Sequence, residues 1–575
     1  MPKERRKQYR TLSSVQADIR KIVKATLQDS PFELIDTSTG KIHSRDARES
    51  MFESSSVCKE LISSMTTHIS RSRIKRVVRE YFQYVVLSHR WEDNEPLFRE
   101  VVHITVYDLK DSPTHDKLQT YCKIAQNAGF RWAWSDTCCI NKADEFVLRQ
   151  SLVAMFRWYQ GAALMIVFLR GVSSSSLPGA LAGSDWNKRG WTLQEYIAAK
   201  NVQFYTEDWT PYRGLPLSKN HKGCPEVIEE MEKVTGVSAQ QLMYLRPGLS
   251  NIREKFRLAS TRTTTRIEDV AYSLLGIFST IGVDAIYGEG TASLGRLLAN
   301  VLNRSGDVDI LAWTGESNQF NSCLPARITV YKEPATSHLP TPVPDARMKH
   351  INAALPPYSS SLDEALRLYD GLSKLPTPRV VDGRMTLSCI AFPLPEFTAN
   401  RTRPGRVYDY HANTAVFGML QVRTRHDLSQ WKSRLYLVHP WLHALLERED
   451  GTTEDDVPLS SPYPDISDDG SDDEDEDEET NNHNSNTLSI SQRESSSRAA
   501  FTHFAPVDRT MRARRLVARL GQPFGALLLA PKVDSETRRM MGYQRVAADA
   551  LITVQFGGNI TLTDILKNVG TLDVL

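Results

Sequence analysis

The chain has 575 residues, of which 41% are hydrophobic, and its formal net charge is +1. A near-neutral charge excludes a protein that binds polyanions through its overall field, although a short basic arm, MPKERRKQYR, begins the chain. The N-terminus lacks the apolar segment of a secretory signal, and the longest apolar run, AALMIVFL at 162–169, is too short to span a bilayer. We therefore expect a cytoplasmic protein with no membrane segment.

The cysteines indicate a reducing compartment. Their number is odd, and they are scattered rather than paired at regular spacings. No two of them have the C-x-x-C spacing of a structural zinc site, so no metal site is predicted. The seven positions are Cys58, Cys122, Cys138, Cys139, Cys224, Cys323 and Cys389.

Changes in composition divide the chain into six segments. The clearest boundary is a block dominated by Asp, Glu, Ser and Asn, which repels itself, cannot bury a core and is predicted to be a disordered insert. In chain order the segments are a basic arm and helical lead-in (1–79), an α/β core (80–210), a helical extension (211–315), the first part of a β-rich domain (316–451), the acidic insert (452–500) and the second part of that β-rich domain (501–575).

The α/β core alternates strand and helix patterns. The strands are short apolar runs and the helices carry apolar residues at helical spacing, a rhythm that predicts a parallel sheet with helices on both faces. The strands are YVVLSH (84–89), FRWAWSD (130–136), LMIVFL (164–169) and NVQFY (201–205), and the helices lie at 116–129, 147–163 and within 189–199.

Two polar clusters follow the first two strands. In such sheets ligands bind beyond the carboxyl ends of the strands, so the clusters are expected to face one cleft. Arg90 suits a phosphate, and Trp91 suits stacking on a flat ring. The clusters are Ser88, His89, Arg90 and Trp91 after the first strand, and Asp136, Cys138 and Cys139 after the second.

A purely structural interpretation of these two clusters stays open. Ser88 and Asp136 are also typical turn or cap residues at strand ends. A nucleophilic pair of His89 with Cys138 or Cys139 is conceivable, but a buried structural cysteine is favoured. No P-loop pattern is present, so a P-loop ATPase is excluded.

The third helix contains an unexpected carboxylate, Glu195, one turn after Trp191 in RGWTLQEYIAA. On a helical wheel Glu195 lies near Trp191 and away from the side that carries Leu193 and Ile197. The pattern indicates a pocket wall, although a structural ion pair with Arg189 or Arg90 explains the same residues.

Three ordered segments resemble the three blocks of the fungal heterokaryon incompatibility (HET) domain, and two later stretches resemble the region that follows those blocks. One position departs from the family pattern, because Glu92 stands where a glycine is usual after the tryptophan of the first block. The segments are YVVLSHRWEDNEPLF (84–98), RWAWSDTCCINKADE (131–145), RGWTLQEYIAAKNVQFYTEDW (189–209), ASTRTTTRIEDVAYSLLGIF (259–278) and IYGEG (286–290).

The resemblance implies a fold similar to TIR domains, a TIR/flavodoxin-like parallel sheet, followed here by the helical extension and the β-rich C-terminal region. It implies a role in non-self recognition and regulated cell death. Many TIR domains cleave NAD through a helix glutamate in a W-x-x-x-E pattern, which Trp191 and Glu195 match. Glu195 is therefore the expected catalytic residue, NAD the candidate substrate, and no tightly bound cofactor is expected. The expected NAD-binding residues are Ser88, His89, Arg90, Trp91, Asp136, Cys139 and Trp191.

A second interpretation is a non-enzymatic module that recruits protein partners or self-associates, with Glu195 as an interface or structural charge. A third, a nucleic-acid-associated factor, is motivated by the basic arm and the acidic block. It is not favoured, because no groove-reading motif supports it.

Overall fold

A computed structural model describes most of the chain as two compact units. The first unit comprises Met1–Ser305 with Gly315–Ala335, and the second Gly306–Thr314 with Thr336–Leu575. The described residues are 12–64, 71–110, 112–280, 282–332, 362–403, 407–431, 434–441, 506–557 and 560–575. The basic arm and the acidic insert predicted at 452–500 lie outside them.

The first unit contains one mixed sheet and fifteen α-helices among its described residues. The strands are β1 (Glu33–Asp36), β2 (Ile42–Ser44), β3 (Tyr84–His89), β4 (Trp132–Trp134), β5 (Leu164–Leu169) and β6 (Val202–Thr206). The helices are α1 (Leu12–Gln28), α2 (Arg45–Ser54), α3 (Ser56–Ser64), α4 (Arg71–Phe82), α5 (Phe98–Val101), α6 (Pro113–Asn127), α7 (Glu145–Gly161), α8 (Ala180–Gly183), α9 (Asp185–Lys188), α10 (Trp191–Ala198), α11 (Pro225–Thr235), α12 (Ala239–Tyr244), α13 (Ile252–Ser260), α14 (Asp269–Tyr272) and α15 (Ala292–Ser305).

The parallel sheet predicted from the strand–helix rhythm is confirmed. The strand order is β2-β1-β4-β3-β5-β6, and β3, β4, β5 and β6 run parallel to their neighbours within that group. Every residue of β3 and β5 is buried, as expected for parallel strands covered on both faces. The bounds of β3 and β5 agree with the sequence prediction, whereas β4 is shorter at both ends.

Helices flank both faces of β3, because successive side chains along a strand point to opposite sides. Tyr84 donates its hydroxyl proton to the carbonyl of Trp158 in α7, at 2.6 Å. His89, on the other face, lies beside Glu95, which is ion-paired with Lys117 of α6. The two residues at the end of β3, Ser88 and His89, therefore enter different environments.

Two strands that the sequence analysis did not predict extend this sheet. β1 pairs antiparallel with both β2 and β4, so β2 forms the edge. Helices α1 to α4 build a small core of their own around residues such as Val23, Phe52 and Val78. The segment before the α/β core is therefore part of the folded unit rather than only a lead-in.

The second unit is β-rich, as predicted for the C-terminal region. Strands from before and after residues 442–505 pair in one sheet: β8 pairs with β16, and β12 with β13. Since β12 also pairs with β8, five strands close into a ring. The elements are α16 (Leu362–Ser373), β7 (Arg379–Val381), β8 (Arg384–Pro393), β9 (Thr398–Arg403), β10 (Val407–Thr414), β11 (Gly418–Thr424), β12 (Tyr436–Pro440), α17 (Pro506–Leu520), β13 (Phe524–Val533), β14 (Met540–Arg545), β15 (Ile552–Val554), α18 (Leu562–Lys567) and β16 (Val569–Val574).

Across the described ranges, no helix has both the length and the apolar character needed to cross a membrane.

The helical extension docks on the sheet unit through a close glycine contact. A Cβ added at Gly276 would overlap the side chain of Phe156 in α7. We expect Gly276→Ala to lower the free energy of unfolding by about 1–3 kcal/mol, the usual cost of overpacking. Gly183→Ala is the matched control, because nothing lies within 4 Å of its added Cβ. Equal melting temperatures for the two variants in thermal denaturation would contradict this packing contact.

Candidate active site

Glu195 is a buried carboxylate fixed to the end of β3. Its side chain lies in α10, the residue is only 4% exposed, and Ser88 Oγ donates a hydrogen bond to Glu195 Oε2 at 2.5 Å. Trp186 Nε1 in turn donates to Ser88 Oγ at 2.7 Å. Because an indole N–H can only donate, the single hydroxyl proton of Ser88 is directed to Glu195. The helical wheel predicted a pocket wall at Glu195, and the structure shows the carboxylate buried and bonded to Ser88.

Tyr159 of α7 is the second partner of this carboxylate. Its hydroxyl donates to the carbonyl of Leu87 at 3.0 Å and is also hydrogen-bonded to Glu195. A phenol has one proton, which the Leu87 carbonyl and the Glu195 carboxylate both can accept, and the hydrogen bond to Glu195 lowers the pKa of that carboxyl group. Tyr159 therefore stabilises the ionised form of Glu195 and opposes the effect of burial.

The surroundings raise the pKa of Glu195 to about 7. Burial is the main cause, and the negative charge of Asp136 adds to it, while the Ser88 hydrogen bond and the positive charge of Arg189 act in the opposite direction. Near neutral pH both protonation states are therefore populated, which is the condition that favours acid–base chemistry.

A buried arginine from the helical extension lies behind α10. Arg262 donates to Thr192 Oγ1 at 2.8 Å and to Asn187 Oδ1 at 2.8 Å. Burial lowers the pKa of Arg262 to about 10, and the negative charge of Glu195 opposes that effect. The extension therefore contributes a positive charge to the environment of Glu195.

A partly exposed group of side chains, which we call the Trp91 cluster, adjoins this site. It consists of Trp91, Asp136, Lys142 and Arg189. Trp91 is 38% exposed, and its Nε1 donates to Asp136 Oδ2 at 2.7 Å. Lys142 Nζ lies 3.6 Å and Arg189 Cζ 5.1 Å from the centre of the Trp91 ring. Two cations and an aromatic face thus meet beside the residue whose charge raises the pKa of Glu195.

Arg90 and Trp191 bond to groups other than Glu195. The exposed Arg90 forms an ion pair with Asp185, which leaves no direct pairing of Arg90 with Glu195. The indole of Trp191 is hydrogen-bonded to Asp269 of the extension. Trp191 therefore anchors the first turn of α10, while Glu195 in its second turn meets Ser88.

His89 faces Glu95, and Cys139 Sγ accepts a hydrogen bond from the backbone N–H of Ser135 at 3.5 Å. Both ring nitrogens of His89 lack a well-formed hydrogen bond, and its Nε2 lies 3.5 Å from Glu95 Oε1 on the opposite face of β3. Burial raises the pKa of the Cys139 thiol well above its ordinary value, so the thiolate needed for a nucleophile is disfavoured. This pKa supports the buried structural cysteine that the sequence analysis favoured.

Glu92, which replaces the usual glycine, is accommodated by ion pairs. Lys117 Nζ lies 3.1 Å from one carboxylate oxygen of Glu92, and Arg170 pairs with the other. The backbone of Glu92 is not in the left-handed region that favours glycine. The substitution therefore adds charge pairs here without backbone strain.

The helical extension also supports the other end of α10. Lys222 Nζ donates to the carbonyls of Tyr196 at 2.7 Å and Ala199 at 3.0 Å, which caps the free C-terminal carbonyls of the helix. Near Trp191, the carboxylate of Glu268 accepts backbone hydrogen bonds from Gly288 and Gly290 of the IYGEG turn. These contacts give a structural reason for the stretches that follow the three blocks.

The sequence analysis missed four residues of this site: Tyr159, Trp186, Lys142 and Arg262. Tyr159 lies in the helix predicted at 147–163, whose apolar residues recur at helical spacing, and an aromatic residue in such a pattern is expected to belong to the core. Arg262 lies in a quoted stretch, but nothing in its spacing links it to α10. In the part of the chain that the structure describes, no group of three or more His, Cys, Asp or Glu side chains is arranged to hold a metal ion.

Comparison with known proteins identifies part of this unit. Residues 84–182 match the family described as Heterokaryon incompatibility protein (HET). The chain is 34% identical over 222 residues to the Vegetative incompatibility protein HET-E-1 of Podospora anserina, a match that covers 36% of this chain and 15% of that protein. No solved structure matches. The family resemblance drawn from the sequence blocks is thus confirmed, and this chain spans only a small part of the relative's length.

Two buried carboxylates, Glu195 and Glu95, lie near the end of β3. Replacing each of them by glutamine should change the stability of the protein in opposite directions. For Glu195 the unfolded chain ionises near 4.5 and the folded protein near 7, so roughly 3 kcal/mol of stability present below pH 4.5 is lost by pH 7. Glu195→Gln should therefore raise the melting temperature at pH 8 and raise it much less at pH 5.

Glu95 is the matched control. Burial by itself raises its pKa, but His89 and Lys117 outweigh burial and lower it to about 2. Its stabilising contribution is present above pH 4.5 and lost as pH falls towards 2, so Glu95→Gln should destabilise at pH 7 by about 3 kcal/mol. A Glu195→Gln protein that melts lower than wild type at pH 8 would show instead that the Glu195 charge is structurally required.

Proposed function

Because residues 84–182 form a HET domain of the heterokaryon incompatibility family, we propose that this protein acts in vegetative incompatibility and regulated cell death by hydrolysing NAD at Glu195. The observation that carries the proposal is the buried Glu195 carboxylate, bonded to Ser88 at the carboxyl end of a parallel strand. That is where open α/β sheets bind their ligands.

The order of the parallel strands supports a TIR- or flavodoxin-like fold for the core. Across the sheet the parallel strands lie in the order β4-β3-β5-β6, so the second strand of the core is at one side, followed by the first, the third and the fourth. This is the beginning of the flavodoxin-like order. The two antiparallel strands β1 and β2 are an addition at the edge beside β4.

The proposed reaction needs one carboxylate. When the bond between nicotinamide and ribose breaks, its electron pair leaves with the nicotinamide nitrogen, which becomes neutral and needs no general acid. The ribose carbon becomes oxocarbenium-like, and water then adds to it and loses a proton. Ionised Glu195 stabilises that positive charge, and Ser88 holds the carboxylate in place. A nearly dry site strengthens the effect.

The side chains near Glu195 suggest how NAD is held. Arg90, the sequence candidate for the pyrophosphate, is already paired with Asp185. Lys142 and Arg189 of the Trp91 cluster are the better candidates, with Trp91 as the ring on which a base stacks. Since Glu195 is only 4% exposed, the substrate reaches it after neighbouring side chains move, and opening of the Trp91–Asp136 bond is the proposed step.

The burial of Glu195 among protein groups also favours a second candidate function. Both bonding partners of Glu195, Ser88 and Tyr159, are protein groups, so the carboxylate is satisfied without a ligand. A module that recruits partners or self-associates would have this property. In that case Glu195 is a positioning element of the fold and NAD is not a substrate.

The catalytic role predicts that Glu195→Gln loses NAD hydrolysis. We expect a decrease of at least about a hundredfold in nicotinamide release, the size seen when an electrostatic stabiliser is removed. The control is Glu207→Gln, an exposed carboxylate outside this site. Assays should span a range of protein concentrations, because turnover per chain that rises with concentration would show that self-association contributes to the active site. Equal turnover in wild type and Glu195→Gln would reject the catalytic role and leave the assembly module.

The pH dependence of the wild type gives an independent test. Glu195 acts in its ionised form, and its pKa is raised to about 7, mainly by burial. The rate of NAD hydrolysis at limiting substrate should therefore rise about tenfold per pH unit below 7 and level off above it. A rate that is already constant at pH 5 would show that an ionised Glu195 is not required.

A further inference from the structure

The loop between β3 and α5, residues 90–97, is tied to groups on both sides of β3. On one side Trp91 Nε1 donates to Asp136, which follows β4. On the other side Glu92 forms an ion pair with Arg170, the residue directly after β5. Because β3 lies between β4 and β5 in the sheet, these two contacts hold the loop across the end of β3. The loop therefore crosses the strand end at which the candidate active site lies.

Glu92 has a second partner, the buried ammonium group of Lys117. Lys117 Nζ lies 3.1 Å from Glu92 Oε1 and also pairs with Glu95, and the Lys117 side chain is only 3% exposed. The backbone N–H of Glu92 donates to Glu95 Oε1 at 3.1 Å, which fixes the main chain of the loop as well. Further along, Thr114 Oγ1 donates to the carbonyl of Asn94 at 2.7 Å. This anchor limits movement to the four residues between β3 and Asn94.

The contacts of Glu92 are the strongest of the charge pairs that hold this segment. Arg90, two residues earlier, pairs with Asp185, but both side chains are about half exposed, so water and salt weaken that ion pair. The side chain of Glu92 is 17% exposed and meets two cations, Lys117 and Arg170. Because charge pairs that are screened less from each other by water interact more strongly, Glu92 contributes more than Arg90 to holding the loop.

Release of Glu92 leaves no buried charge without a counter-charge. When Glu92 moves away, the buried Lys117 keeps its ion pair with Glu95. The side chain of Arg170 is 52% exposed, so water solvates it once Glu92 has left. The two ion pairs of Glu92 can therefore open without the penalty of an unpaired ion in the interior, as a reversible contact requires.

We propose that Glu92 is a positioning residue that holds Trp91 against Asp136 and so closes the candidate active site, and that release of its two ion pairs admits the substrate. The role in substrate entry rests on the proposed function, whereas the closure of the loop does not. Since Glu195 is buried, the fraction of molecules with an open loop limits the apparent affinity for substrate. Glu92→Gln keeps the size of the side chain and removes its charge, so it should raise that fraction.

The first test is hydrogen exchange on the full chain in the absence of NAD. The backbone N–H of Glu92 reports the closed loop directly, because it donates to Glu95. We expect Glu92→Gln to speed exchange in the segment 90–94 about fivefold or more, because partly buried charge pairs contribute more than exposed ones. The matched control, Glu145→Gln, breaks an exposed ion pair with Arg149 on α7 and should leave this segment unchanged. Equal exchange in Glu92→Gln and wild type overturns the proposal.

A second variant covers the case in which Glu92→Gln does not fold. Arg170→Gln removes only the half-exposed partner and leaves Lys117 paired with Glu92. Exchange in the segment 90–94 should be faster in this variant than in wild type, but by a smaller factor than in Glu92→Gln. Unchanged exchange in Arg170→Gln overturns the proposal that both ion pairs hold the loop.

Steady-state kinetics with NAD separate substrate entry from a merely structural role. If the open fraction limits access, kcat/KM should rise in Glu92→Gln by the same factor as the exchange rate, with kcat unchanged. Faster exchange with an unchanged or lower kcat/KM overturns the role of Glu92 in substrate entry. If neither wild type nor Glu92→Gln hydrolyses NAD, the proposed function fails, and the exchange experiment still decides whether Glu92 holds the loop closed.

Discussion

The hydrogen bond from Ser88 to Glu195 is the contact around which the first unit is organised. It joins the carboxyl end of the central strand β3 to helix α10 through a side chain that would otherwise be ionised and free in water. Burying a carboxylate is unfavourable unless its partners compensate. Trp186 orients Ser88, Tyr159 forms a hydrogen bond that favours the ionised carboxylate, and Arg262 supplies a buried positive charge nearby.

The helical extension is part of this arrangement rather than an appendage. The stretch that matches the HET family, 84–182, supplies Ser88 and Tyr159 but ends before α10. The groups that hold α10 come from later in the chain: Lys222 caps its end, and Arg262 bonds to its first turn. A fragment limited to 84–182 would therefore lack both Glu195 and the residues that position it.

Neighbouring residues of one strand create two opposite carboxylate environments. Ser88 meets Glu195, whose pKa burial raises to about 7, whereas His89 meets Glu95, whose pKa His89 and Lys117 lower to about 2 in spite of burial. The pleat of β3 separates the two by pointing successive side chains to opposite faces. A carboxyl group that titrates near neutral pH and one that stays ionised at that pH thus lie beside the same strand end, and their environments account for the difference.

The sequence by itself determined the parallel core, because short apolar runs such as YVVLSH and LMIVFL that alternate with helical patterns are typical of strands buried on both faces. It also singled out Glu195, since a carboxylate among apolar helix residues needs an explanation. The partners of Glu195 were decided only by tertiary structure. Tyr159 and Arg262 are 36 and 67 positions away from it, and helical or strand periodicity carries no information on which distant side chains meet. The same holds for β1 and β2, short strands whose pairing with β4 depends on long-range hydrogen bonds rather than local pattern.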